Sequence, residues 1–200
     1  MSPRRYRLDR RAETAEETRR RIVEATYSLH GERGIYATTM THIAERAGVS
    51  VGTVYHHFPT YQDAVFACSQ HVAATIPFPT ANIFAGLSSL DERVRRLARE
   101  TFGFYERLPV YERIRSERWD MPPIQAHVER EENDRLALAR EALRPFKVKP
   151  RLVEACAALL DVAVYGALTR NGLTPAKAAE EVSGFILARL AAEASRAASR

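Results

Sequence analysis

Residues 39–58 read TMTHIAERAGVSVGTVYHHF. Two short helices, near Thr39–Ala47 and Ser50–Phe58, are predicted on either side of a tight turn at Gly48-Val49-Ser50. This is the geometry of a helix-turn-helix. Ile43, Ala44 and Ala47 supply the inner face of the first helix, and the small residues there let the second helix cross closely. Gly48 can take a positive φ that a larger residue resists. Val49 fills the angle between the helices, and Ser50 caps the second one. The exposed amides at that capped end suit a phosphate. Val54 and Phe58 face the core, which leaves Val51, Gly52, Thr53, Tyr55, His56 and His57 outward or on the rim.

Working outward, apolar residues recur at spacings of three and four, and no stretch alternates with period two. The fold class is therefore all-α. A capping-box pattern at Thr14 and Glu17 predicts a first helix of about 17 residues, ending near Gly31–Gly34. A second such pattern, at Thr60 and Asp63, opens a helix to about Thr75. Pro77–Ser89 reads as a connector, and Ser89 with Glu92 caps a helix to about Arg107. A short helix to about Asp120 and a charged one from Pro123 to about Leu143 follow. Two Ala- and Leu-rich helices, near Pro150–Arg170 and Pro175–Ala194, end the chain around a turn at Asn171–Gly172.

Residues 19–65 resemble the N-terminal DNA-binding domain of the TetR/AcrR family of bacterial transcriptional regulators. The resemblance rests on Ile22, Ala25, Gly34, Thr38, Thr39, Ile43, Ala44, Ala47, Gly48, Val49, Ser50, Gly52, Thr53, Tyr55, Phe58 and Pro59. It implies a three-helix DNA-binding head followed by a larger helical ligand-binding and dimerisation domain. It also implies that Thr39, Tyr55, His56 and His57 meet phosphates and that Thr41 reaches a base. Ser50, Val51, Gly52 and Thr53 would lead the recognition helix. Val51 and Thr53 could touch a thymine methyl, and the Thr53 hydroxyl can also donate a hydrogen bond. Two positions depart from the family's habit. Relatives often carry a basic or polar residue where Val51 stands, and commonly a lysine where Tyr61 stands. Tyr61 is nonetheless counted among the residues of the DNA face.

Those departures bear on where the charge lies. The chain of 200 residues has a formal net charge of +5. Residues 1–11 hold five arginines against Asp9, whereas residues 12–60 hold five arginines against six glutamates. The excess is mainly a basic arm, residues 1–13, ahead of a head at 14–60. Arg4, Arg5 and Arg7 are expected to track the DNA backbone or enter the minor groove. Residues 61–200 form the expected effector-binding and dimerisation domain.

Apolar residues make up 46% of the chain, enough for a core, while no run approaches 18 apolar residues. No membrane segment and no secretory signal is expected, and two cysteines, Cys68 and Cys156, fit a reducing cytoplasm. Gly48-Val49-Ser50-Val51-Gly52 matches the hydrolase nucleophile elbow G-x-S-x-G literally, but that motif needs a preceding strand. The adjacent His56 and His57 point apart on a helix, and no metal-binding spacing occurs. No catalytic residue, cofactor or metal is expected.

As a lining for an effector pocket we select Phe102, Tyr105, Trp119, Met121 and Tyr165, an apolar set with a few polar tips. Arg93, Arg95, Arg96 and Arg99 form a basic, solvated face. The last two helices are apolar over so much of their circumference that they need partners on more than one side. A homodimer through an intermolecular four-helix bundle satisfies that need. The sequence thus reads as a cytoplasmic homodimeric repressor, released from palindromic double-stranded operator DNA by a small-molecule effector. Two alternatives stay open: a ligand-binding helical dimer with weak or lost DNA binding, and an enzyme on the same fold.

Overall fold

A computed structural model describes residues 3–198, and the side chains of residues 13–196. Among these residues every regular element is a helix, with no strand. Ten α-helices follow one another: α1 Pro3–Arg33, α2 Met40–Ala47, α3 Val51–His57, α4 Tyr61–Thr75, α5 Leu90–Arg107, α6 Tyr111–Ser116, α7 Pro122–Leu143, α8 Pro150–Leu159, α9 Val162–Arg170 and α10 Pro175–Ala198. Short 3₁₀ turns lie at Ala81–Phe84, Arg118–Asp120 and Arg144–Phe146. No single helix among the described residues is long and apolar enough to cross a membrane.

The chain divides into two compact units. The first runs to Thr75 and includes Arg113–His127; the second comprises Ile76–Glu112 and the rest from Val128. In the first unit, Ile22, Ala25 and Leu29 of α1 pack with Met40, Ile43, Ala44 and Ala47 of α2, Val54 of α3 and Ala64 of α4. α1 does not start at Thr14. It continues back to Pro3, because residues 4–13 hold no proline or glycine and are mostly good helix formers. The Thr60–Asp63 capping box forms as expected, each backbone amide meeting the other residue's side chain at 2.9 and 3.2 Å.

The second unit is built on α5 and α10, which pack along each other. The Ser89–Glu92 capping box starts α5. Two expectations change here. Arg93 does not join a solvated basic face; it is buried, and its Nε donates to the Ala142 carbonyl at 2.8 Å and Nη2 to that of Glu141 at 2.6 Å. It thereby satisfies carbonyls at the end of α7, which have no partner within their own helix. The helix expected over 150–170 is two helices, bent by 43°. Asp161 caps α9 by accepting from the Ala163 amide at 2.9 Å. Its carboxylate also pairs with Arg135 of α7 at 2.9 Å.

Arg135 is the hub of a buried polar network. Its Nε meets Glu131 at 3.0 Å, and Nη1 donates to the Ala157 carbonyl at the end of α8. Glu131 accepts from the Tyr105 hydroxyl at 2.6 Å. Burial and the facing Glu131 carboxylate raise the Tyr105 phenol far above its ordinary value, so it stays a donor.

Candidate nucleic-acid interface

Each half of the helix-turn-helix is set by its caps. Thr39 is extended, and its Oγ1 accepts from the His42 amide at 3.2 Å, which leaves the hydroxyl proton free to donate. α2 ends at Gly48, whose φ of 63° and ψ of 42° lie in the left-handed region. A side chain there would be strained, and its Cβ would also meet the Arg21 guanidinium at 3.1 Å. Ser50 caps α3 by accepting from the Thr53 amide at 3.0 Å, while the two hydroxyls lie 2.8 Å apart. Val54 is fully buried under α3. The opposite face presents Gly52, Tyr55 and His56 to solvent, with Val51, Thr53 and His57 half-buried on the rim. Thr41 is exposed on the first turn of α2.

Two arginines of α1 brace this pair of helices, and the sequence reading missed both. Arg21 donates to the carbonyls of Ala47 and Gly48 at the end of α2. Arg19 lies over the Phe58 ring at 4.4 Å and reaches the His57 carbonyl at 3.5 Å. The only hint in the sequence is their place beside Ile22 on the inward side of α1. Partial burial, with His56 and Arg19 nearby, lowers the His57 pKa, so the imidazole is neutral at neutral pH.

Tyr61 does not belong to the DNA face. Its hydroxyl donates to the Ile35 carbonyl at 2.6 Å and accepts from the buried His30 Nε2 at 2.9 Å. Tyr61 sits at the start of α4 with its ring packed against the head core. Turning it outward would leave His30 without this partner in a dry site. Arg4, Arg5 and Arg7 lie outside the residues whose side chains are described.

Burial lowers the His30 pKa to about 4. Its folded value is depressed, so the stability it permits is full above its unfolded value and is lost as pH falls from 6.5 towards 4. The gap amounts to about 3 kcal/mol. Between pH 7.5 and 4.5 the melting temperature should fall roughly 5–10 °C further in the wild type than in His30→Phe. Equal falls in the two proteins would show that His30 is not the acid-sensitive group.

The loop between α1 and α2 is held from far along the chain. Gly34 has φ 86°, and Glu117 lies across it, its Oε2 accepting from the Ile35 amide at 2.6 Å and more weakly from that of Tyr36 at 3.4 Å. A Cβ at Gly34 would sit 2.5 Å from Glu117 Oε1. The Tyr36 hydroxyl returns to the Glu117 carbonyl at 3.1 Å.

The five residues expected to line an effector pocket do not share one unit. Phe102, Tyr105 and Tyr165 meet in the second, with ring centroids 5.3–6.4 Å apart. Trp119 and Met121 belong to the first. The 3₁₀ turn at Arg118–Asp120 leaves Trp119 69% exposed, with the Arg118 guanidinium 4.1 Å above its ring.

Capped helices, a left-handed glycine between them and an open polar face on the second define a helix-turn-helix head. Residues 22–67 match the family model described as bacterial regulatory proteins, tetR family. The likeness to the tetR family is carried by this head, under a quarter of the chain. It is 34% identical to the transcriptional regulator HbdR of an Aromatoleum species over 79 residues, 40% of this chain and 34% of that protein. It is 43% identical to the transcriptional repressor KstR of Mycolicibacterium smegmatis over 49 residues, 24% of each chain. The matched region thus spans about a third or less of these curated relatives. A crystal structure of a tetR-family transcriptional regulator from Streptomyces coelicolor superposes with a TM-score of 0.68, covering 90% of this chain and 83% of that one at 20% identity. That likeness extends the fold beyond the head.

Proposed function

We propose that this protein is a homodimeric, ligand-responsive repressor of transcription. Residues 1–13 act as a basic arm, 14–60 as the DNA-binding domain and 61–200 as the effector-binding and dimerisation domain. The observation that carries the reading is the open face of α3, where the capped N-terminus, Gly52, Tyr55 and His56 are all free to meet a duplex. Two such heads, about one DNA turn apart, read a palindromic operator in successive major grooves. Thr39, Thr41, Tyr55, His56 and His57 contact phosphates or base edges, and Ser50 to Thr53 lead into the groove. An effector held beside Phe102, Tyr105 and Tyr165 favours the form of the dimer that releases the operator.

The test is an electrophoretic shift with the DNA flanking the protein's own gene, repeated across salt concentrations. A sequence-specific shift is expected. Substituting Arg4, Arg5 and Arg7 by Gln should weaken it and lower the salt slope by about 1 for each phosphate that is no longer neutralised. An unchanged slope would remove the arm from the interface.

Dimerisation through α8, α9 and α10 is supported by what those helices leave in water. Phe185 is 66% exposed and Leu159 38%, apolar side chains left in water on Ala-rich helices. Phe185→Glu is expected to place a charge in the interface of each partner and to yield a monomer in sedimentation or light scattering. A dimer of undiminished affinity would locate the interface elsewhere.

A further inference from the structure

A groove of about 420 Å³ lies between the end of α7 and the start of α8. That is within the roughly 300–1,000 Å³ range of small-molecule sites. It is built wholly from residues 137–154, within the second unit and apart from the aromatic cluster of Phe102, Tyr105 and Tyr165. Part of its lining is apolar: Leu143 and Val153, both buried, with Val148 and Pro150 between them in sequence. Most of the rest of its lining is charged, with more cations than carboxylates. Arg140, Arg144 and Lys147 stand there against two carboxylates, Glu141 and Glu154.

The partners of these charges separate the cations that hold the fold from those that do not. Glu141 is taken by Arg144, at 2.9 and 3.0 Å. Arg140 and Lys147 have no ion pair among the described residues. Lys147 adopts a left-handed conformation, φ 53° and ψ 39°, where the chain turns towards α8. Such a backbone strains a residue with a side chain, and asparagine or glycine is the usual occupant. The first turn of α8 enters the wall through Pro150 and Val153, adding the positive end of a helix dipole. Apolar residues, two cations without ion pairs and the first turn of a helix share the lining of one groove.

We infer that this groove binds an amphiphilic organic anion, a carboxylate carried on an apolar body. The body lies on Leu143 and Val153, and the carboxylate meets Arg140 and Lys147. The site is separate from the proposed effector site and does not depend on it.

Sodium decanoate, kept below its micelle concentration, is the probe, with decyltrimethylammonium as the chain-matched cation. Calorimetric titration of the full chain should show one saturable decanoate site per protomer. The cation should bind at least about tenfold more weakly. Arg140→Gln with Lys147→Gln removes charges that no fold contact uses, and should weaken decanoate about tenfold. Ala137→Trp, at an exposed position on the rim, should block the groove. Thermal melts establish that each variant is folded, and the arginine–lysine pair decides the matter if the tryptophan variant is not. No saturable site in the wild type at about 1 mM decanoate would overturn the inference. So would equal affinity for the cation, or decanoate binding that neither folded variant changes.

Discussion

Arg135→Ala is expected to destabilise the helical unit by about 3–5 kcal/mol, the usual loss when one partner of a buried ion pair is removed. Its guanidinium joins Glu131, the Ala157 carbonyl and Asp161. Without it, the buried Glu131 carboxylate keeps only tyrosine hydroxyls, and the end of α8 loses a donor. For a chain of this size the melting temperature should fall by roughly 10 °C or more. Adding Glu131→Gln should restore part of the loss, because a neutral amide still accepts from Tyr105 and no longer needs a counter-charge. If the double variant melts no higher than Arg135→Ala, an unpaired carboxylate is not the cause.

Thr53→Ala and Tyr55→Ala should each weaken operator binding by roughly 10- to 100-fold, the effect of removing one good contact to a base or phosphate. Neither should disturb the dimer, since Tyr55 is 50% exposed and Thr53 lies on the rim of α3. Thr53→Val separates the two uses of the residue. It keeps a methyl group for thymine while deleting the hydroxyl that lies 2.8 Å from Ser50 Oγ. Near wild-type binding by Thr53→Val assigns the methyl, and loss matching that of Thr53→Ala assigns the hydroxyl. Wild-type affinity in both alanine variants would exclude α3 as the recognition helix.

What is legible in the sequence follows from the range of the interactions. The caps of α2 and α3 and the capping boxes at Thr60 and Ser89 depend on residues within four positions of one another, and they stand as expected. Arg93 and Tyr61 escape such reading for the opposite reason. Arg93 is held by carbonyls 48 and 49 positions away, and Tyr61 by groups 26 and 31 positions away. Such partners leave no periodicity to read. An arginine in a run of arginines looks solvated until the helix end it caps is known. The break between α8 and α9 is hidden in the same way. Asp161 can cap a helix on its own, but here it also answers to Arg135 on another helix.

The Glu117 clasp on Ile35 has a consequence in time. The two groups are 82 residues apart. At about 5–20 residues per second, the carboxylate leaves the ribosome roughly 4–16 s after the amide that needs it. Throughout that interval α1, α2 and α3 can already pack, while the loop joining the first two lacks its acceptor. The nascent head is therefore finished by a segment translated long after it, and a ribosome stalled between these points would display α3 on an incompletely fastened support.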